Sequence, residues 1–238
     1  MENNSFKRGI RDGVPIGLGY LAVSFGFGLL SVSEGLTWYQ ALFISMFNLT
    51  SAGQLAAVPI IAGGGSFFEL VLTQLVINSR YALMSVSLTQ KLGGGVKYAD
   101  RLWIGFANTD EIFAVSVGNA TPIGRKYMLG LIILPYFGWT LGTLIGAAAG
   151  AILPEVLVTA LSVSLYAMFI AIVVPAAKGD GKTLLCVLLA MAASALFYYV
   201  PVLNKVPSGF IIVILSVVIS ALFALFAPID DEKNGGKV

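Results

Sequence analysis

The sequence predicts an all-α membrane protein, a polytopic bundle of about seven to eight transmembrane helices, some of them interrupted. Of its 238 residues, 58% are hydrophobic and 11% are charged, and the mean hydropathy is +0.90, which lies outside the range of soluble proteins. Eight apolar runs approach or exceed the about 20 residues that a helix needs to cross the hydrocarbon core. These runs are 13–33, 38–62, 66–90, 102–120, 127–150, 155–177, 182–201 and 208–227. The connections between them are too short for a soluble domain, so we expect one transmembrane domain over residues 1–238.

The first run follows Lys7, Arg8 and Arg11, a basic start that resembles a signal peptide. Seven further apolar runs follow it, so we interpret it as a membrane-spanning helix.

The second run contains small polar residues and glycine at its centre, within the stretch FNLTSAGQLAAVP (47–59). Asn48, Ser51, Gly53 and Gln54 provide amides, a hydroxyl and a flexible backbone, and Pro59 follows. A helix that breaks here exposes backbone amides and carbonyls to a ligand, as in many transporters. The alternative is a continuous helix whose polar side chains bond to neighbouring helices.

The third run places polar residues on two faces of one helix. Gln74, Asn78, Tyr81 and Ser85 form one stripe at helical spacing, and Thr73, Arg80 and Ser87 form another. Unpaired polar groups in hydrocarbon cost several kcal/mol each, so protein or a wet cavity must enclose this helix. An arginine at the membrane centre costs about 2.5–3.5 kcal/mol on insertion scales and usually faces a partner or a pathway. A fixed structural ion pair is the alternative, and Glu69 is predicted to be a solvated residue at the helix end.

The fourth run, GFANTDEIFAVSVGN (105–119), offers partners for that arginine. Asp110 or Glu111 can neutralise Arg80, and the remaining carboxylate can carry a proton whose binding is coupled to what occupies the site. We therefore expect runs two, three and four to be half-broken helices around one site, with Asn108 contributing to it.

The later runs carry fewer polar residues. The fifth run contains glycines at every fourth position, which form a smooth ridge for close approach of another helix; these are Gly138, Gly142, Gly146 and Gly150. The stretch 55–66 resembles 171–183, and Pro15 corresponds to Pro135, which suggests duplicated halves over 1–120 and 121–238. The alternative is a chance match of short apolar segments.

The distribution of positive charge favours cytoplasmic termini. If all eight runs cross, nine Lys and Arg residues fall on the side of the termini and four on the other. The cluster at 91–101 contradicts this pattern, so either this loop is an exception or the fourth run is re-entrant. Residues 229–238 are predicted to be a polar cytoplasmic tail.

Four motifs, in order, resemble the AzlC/YgaZ family: RDGVPIGLGYLAVSFGFGLL (11–30), TSAGQ (50–54), NSRYALMS (78–85) and TDEIFA (109–114). The resemblance covers the first half of the chain, and the second half matches in length and hydrophobicity. The motif of small residues that ends at Gln54 departs from the family's more Ala/Gly-rich version. The resemblance implies a bacterial inner-membrane permease that expels valine, leucine, isoleucine and sometimes methionine, with a small separate membrane subunit of the AzlD/YgaH type.

From these observations we expect a secondary transporter, coupled to protons, and not an enzyme. There is no histidine, Cys186 is alone, and no nucleotide-binding motif occurs, so we expect no metal, no cofactor and no nucleic acid partner. Asp110 and Glu111 are the candidates for proton coupling or for an ion pair with Arg80. The predicted substrate-binding residues are Asn48, Ser51, Gly53, Gln54, Asn78, Arg80, Tyr81, Ser85 and Asn108. The rival hypothesis is a channel or scaffold subunit with no transport site of its own.

Overall fold

The structure is a computed structural model that describes residues 4–93, 95–150 and 152–226. Within these ranges the regular structure is helical, so the all-α prediction is confirmed, whereas the predicted tail at 229–238 lies outside the described residues. The α-helices, numbered α1 to α10 in chain order, are Phe6–Ser33, Trp38–Phe47, Ser51–Ala62, Phe67–Lys91, Tyr98–Phe106, Asp110–Val117, Arg125–Gly150, Glu155–Gly179, Gly181–Tyr199 and Ser208–Phe226.

Four of the described helices, α1, α7, α9 and α10, are long and apolar enough to cross a membrane by length and composition. The predicted count of seven to eight crossings is not confirmed, because the second and fourth apolar runs each form two half-length helices. The prediction that the third run is broken is wrong. It forms one continuous helix, α4, of 25 residues.

Helices α1 and α7 pack against each other in parallel along their length. Gly130 of α7 meets α1 near Gly9, and Gly138 meets Gly17, so the two chains advance in the same direction. A Cβ atom on either α7 glycine would collide with the backbone of α1. The glycine ridge predicted from the sequence therefore serves close helix packing. We call the end where α1 and α7 begin the basic end, because it contains Lys7, Arg8, Arg125 and Lys126.

Helices α2 and α3 form a hairpin, hairpin 1, whose two ends lie at the opposite end of the bundle. Leu36, just before α2, and Val58, near the end of α3, share a buried cluster with Phe27 of α1. Thr37 caps α2 through a capping box with Gln40. The chain turns at an elbow over residues 48–50, and a helix of ten residues is about 15 Å long, roughly half of the hydrocarbon thickness.

Helices α5 and α6 form hairpin 2, which enters from the basic end and returns to it. The backbone N–H of Gly93, after α4, donates to the carbonyl of Ile123 at 2.8 Å, and the N–H of Ile123 donates to the carbonyl of Lys91 at 3.0 Å. An ion pair of 2.9 Å between Asp100 and Arg125 also holds the base of this hairpin against α7. The elbow lies at residues 107–109, so the fourth run is re-entrant in this structure.

The two hairpins repeat one local design from opposite ends of the bundle. Each has a three-residue elbow, and the chain reads FNLTS at residues 47–51 and FANTD at residues 106–110. Thr50 and Thr109 occupy equivalent positions as the N-cap residues of α3 and α6. In the second half of the chain, α8 follows α7 as hairpin 1 follows α1, but α8 is a single helix and hairpin 1 consists of two. The predicted duplication into halves 1–120 and 121–238 therefore stays a prediction.

Helix α10 packs beside α4, and their contact corrects one expectation. The carboxylate of Glu69 is 3% exposed and accepts a hydrogen bond of 2.9 Å from the N–H of Gly209. The prediction that Glu69 is a solvated end residue is therefore wrong. At the α8–α9 connection, Asp180 accepts hydrogen bonds from the hydroxyl and N–H of Thr183, which hold the pKa of that carboxyl below its ordinary value.

Candidate functional site

The two elbows meet beside the middle of α4 and enclose a cavity of about 210 Å³, which we call the central cavity. Hairpin 1 reaches it from the opposite end and hairpin 2 from the basic end, so the cavity lies near mid-depth. Its walls come from both hairpins and from α1, α4, α7 and α8. The lining residues are Tyr20, Leu49, Ser51, Ala52, Arg80, Tyr81, Thr109, Asp110, Glu111, Trp139 and Val173.

Arg80 lies at the centre of α4 and pairs with hairpin 2. Its guanidinium Nη2 is 2.8 Å from Oδ2 of Asp110, and the two side chains are 47% and 39% exposed. The same nitrogen donates to the Tyr81 hydroxyl at 3.1 Å, and the guanidinium carbon lies 4.9 Å from the Tyr81 ring centroid. Asp110 is also in the first turn of α6, where the helix dipole favours a negative charge. The cation is thus held at mid-depth by an acid and an aromatic ring, and about half of its side chain stays exposed.

Glu111 has a different environment from Asp110. Its carboxylate accepts a short hydrogen bond from the hydroxyl of Tyr20, and that hydroxyl also lies 2.6 Å from the hydroxyl of Thr109. Among the described residues, no cation comes within ion-pair distance of Glu111. With Arg80 and Asp110 compensating each other, Glu111 leaves the cavity one negative charge when it is ionised.

The predicted residue Gln54 lies beside the cavity and holds hairpin 1 in place. It is 0% exposed; its oxygen accepts from the indole N–H of Trp139 at 2.9 Å, and its nitrogen donates to the hydroxyl of Ser45 at 2.9 Å. Ser45 in turn lies 2.7 Å from the hydroxyl of Thr143. This chain of bonds fastens hairpin 1 to α7, so we assign Gln54 a positioning role.

A second set of bonds fastens hairpin 1 to α4. The Gln74 amide donates to the carbonyl of Gly53 at 2.8 Å and accepts from Asn78 at 3.0 Å and from Asn48 at 3.3 Å. A Cβ at Gly53 would lie 2.7 Å from the Gln74 oxygen, so a larger residue here would displace the Gln74 amide from these bonds. Asn48 also accepts from Thr50 at 2.6 Å. Asn48, Gly53 and Asn78 thus position the elbow and do not line the central cavity.

Hairpin 2 has an equivalent tie to α4. Asn108 is 2% exposed and donates to the hydroxyl of Ser85 at 3.4 Å. The side-chain oxygens of Asn108 and Asn78 are buried and have no hydrogen-bond partner among the described residues. Of the predicted site residues, the structure brings Ser51, Arg80, Tyr81, Asp110 and Glu111 together around the cavity. It places Asn48, Gly53, Gln54, Asn78, Ser85 and Asn108 behind them.

Sequence reasoning missed Tyr20, Thr109 and Trp139. Tyr20 and Trp139 lie in runs that look uniformly apolar, and their rings meet edge to face at 5.1 Å. A buried tyrosine hydroxyl or tryptophan N–H usually needs a hydrogen-bond partner, which is the signal that could have indicated them.

The comparisons place this site within a known family. A model of the family described as AzlC protein matches residues 15–153, more than half of the chain, and this range contains most of the cavity lining.

Individual relatives extend this match. An uncharacterized membrane protein of Archaeoglobus fulgidus is 30% identical over 73% of this chain and 77% of its own length. The inner membrane protein YgaZ of Escherichia coli is 27% identical over 62% of each chain. The branched-chain amino acid transport protein AzlC of Bacillus subtilis is 21% identical over 62% of this chain and 58% of its own length. The match thus spans less than two thirds of the latter two relatives, and no solved structure matches the chain significantly. The chain belongs to the AzlC family.

Proposed function

We propose that this chain is a secondary transporter that exports valine, leucine, isoleucine and sometimes methionine from the bacterial cytoplasm in exchange for protons. A relative whose name states branched-chain amino acid transport supports the substrate class. The observation that carries the proposal is Glu111, a carboxylate without a cationic partner among the described residues, in a cavity at mid-depth beside the Arg80–Asp110 pair.

The charges of the cavity fit a zwitterion. At an effective dielectric constant of 20, an ammonium 4 Å from a carboxylate gains about 4 kcal/mol, before the cost of desolvation. Glu111 supplies such a carboxylate for the substrate's ammonium group. The substrate's carboxylate has Ser51 and the unpaired N–H groups in the first turn of α3, with Arg80 on the other side. The apolar lining from Leu49 and Trp139 then receives the side chain.

Coupling follows because the proton and the ammonium group compete for one carboxylate. When Glu111 is protonated, the cavity no longer attracts the ammonium group, and the amino acid is released. When it is ionised, an amino acid binds in place of the proton. Exchange of one for the other across the membrane is antiport, driven by the inward proton gradient.

Broad acceptance of branched side chains is expected from the lining. One methylene group in an apolar pocket changes binding by only about 1–3 kcal/mol. A cavity of about 210 Å³ has room for one medium-sized amino acid. Aliphatic side chains offer no group to which the polar residues of its lining could form hydrogen bonds, so size alone distinguishes them.

We propose that the basic end faces the cytoplasm. With both hairpins re-entrant, the exceptional cluster at 91–101 joins this end, and Lys205 lies near the other. The described cations of the basic end are Lys7, Arg8, Arg11, Lys91, Lys97, Arg101, Arg125, Lys126, Lys178 and Lys182. This asymmetry follows the positive-inside rule.

A small membrane subunit of the AzlD/YgaH type completes the proposed transporter. Ser79, Arg80 and Ser87 are exposed near the middle and on the second half of α4, at depths where contact with lipid is unfavourable for polar and charged side chains. A second polypeptide on this side of α4 would enclose them.

The test is leucine efflux from proteoliposomes that contain this chain together with its co-expressed partner, with and without an imposed pH gradient. We expect wild-type efflux to accelerate when the outside is acidic, and Glu111→Gln to lose this acceleration. Glu69→Gln is the matched control, because it makes the same change at a buried carboxylate that lies away from the cavity. Absence of leucine flux under all conditions would favour the scaffold hypothesis instead.

A further inference from the structure

A second, larger cavity of about 560 Å³ lies between the central cavity and the opposite end of the bundle. We call it the vestibule. It is lined by one face of α3 and by residues of α1, α4 and α10, and these are mostly apolar. The lining residues are Leu30, Glu34, Ala52, Leu55, Ala56, Val58, Pro59, Ile77 and Ile212.

Ala52 connects the vestibule to the central cavity, because this residue lines both. It is the second residue of α3, directly after the elbow of hairpin 1. From there the vestibule follows α3 outward, and Glu34, at the end of α1, is exposed near its mouth. Ala52 thus contacts both cavities.

The path toward the basic end is closed in the same structure. A buried cluster fills the space between hairpin 2, α4 and α7, and Ile104, Ile112 and Met128 in it are at most 2% exposed. Between this cluster and the basic end, the guanidinium of Arg8 donates a hydrogen bond of 2.9 Å to the side-chain oxygen of Asn119. The side of the central cavity that faces the basic end is therefore filled by packed side chains.

We propose that the vestibule is a second, transient binding site for an amino acid with an apolar side chain, and that Ala52 forms the constriction between it and the central cavity. This proposal rests on the proposed transport function. The apolar lining accepts the side chain, and Glu34 at the mouth attracts the ammonium group. The occupant is the transported amino acid rather than a lipid, because the vestibule continues into a cavity that contains charged groups.

Ile77→Trp tests the proposal by filling the vestibule from α4. We expect leucine flux to fall by about tenfold or more, which is a barrier increase of about 1.4 kcal/mol, while the affinity of the central site for leucine stays unchanged. Ile145→Trp is the matched control, because this isoleucine lies on α7, is 51% exposed and lines neither cavity.

Ile77→Cys provides a second measurement that does not require a bulky residue to fold. In a chain with Cys186→Ser, a water-soluble thiol reagent added outside should label position 77, and leucine should slow this labelling. Unhindered flux in Ile77→Trp, or labelling only by a lipid-soluble reagent, would overturn the vestibule proposal while leaving the central site intact. If the wild-type complex binds no leucine, both proposals are wrong.

Discussion

Removal of one hydroxyl, in Tyr20→Phe, should slow leucine exchange. The Tyr20 hydroxyl donates to the carboxylate of Glu111 and holds it beside the central cavity. A hydrogen bond to a charged group is worth about 1.5–3 kcal/mol, and a factor of ten in rate corresponds to about 1.36 kcal/mol, so its loss should lower the rate of exchange by about 10- to 100-fold. The reason is that the carboxylate is no longer held where the substrate's ammonium group binds.

The assay is the rate of leucine exchange in proteoliposomes, with the same pH inside and outside, for the wild type and Tyr20→Phe. Tyr136→Phe is the matched control, because it also removes a hydroxyl from the bundle, but one that bonds to the carbonyl of Met46 at 3.4 Å. Exchange at the wild-type rate in Tyr20→Phe, while the protein remains folded, would show that the bond between Tyr20 and Glu111 does not contribute to exchange.

Three further outcomes test the structure. Arg80→Asp and Asp110→Arg should each abolish most export, and the double exchange should recover part of it. If all three variants lose export equally, Arg80 and Asp110 do not act as a pair. Gly138→Ala should lower the thermal stability of the purified protein, because overpacking of a tight interface costs about 1–3 kcal/mol, whereas Gly19→Ala, with open space around it, should be neutral or stabilising. Gln54→Ala should lower the free energy of unfolding by about 1–3 kcal/mol for each buried partner left without a bond, and this loss should appear as a lower melting temperature. An unchanged melting temperature would contradict the positioning role of Gln54.

Much of the site could be predicted from the sequence because polar residues in an apolar run need partners. Arg80 was expected to pair with Asp110 or with Glu111, and the structure pairs it with Asp110 at 2.8 Å. The break in the second run was also expected, and it falls at residues 48–50.

Topology was harder to predict. Runs 38–62 and 102–120 are as long as crossing helices, and length alone does not reveal that a chain folds back at an elbow. The clue was the cation cluster at 91–101, which contradicted the charge pattern of eight crossings. Two re-entrant hairpins remove the contradiction, since they return the chain to the end from which it came and move this cluster to the basic end.

Spacing along the chain could not predict which polar residues line the central cavity and which hold the hairpins in position. Gln54 and Ser51 lie three residues apart near the start of α3, yet Ser51 lines the cavity and Gln54 bonds to Trp139. Their different roles depend on α7, whose position relative to hairpin 1 is set by tertiary packing. The continuous α4 shows the same limit. Its polar side chains bond to the two neighbouring hairpins, and the helix itself stays unbroken.

Proton release on leucine binding tests the central claim most directly. In a weakly buffered solution of the purified complex, near the pH midpoint of exchange, leucine should displace a proton from Glu111. We expect measurable release, approaching roughly one proton per bound leucine at lower pH, and none in Glu111→Gln. Leucine binding that releases no proton at any pH, or equal release in Glu111→Gln, would contradict the competition between proton and ammonium group on which the account depends.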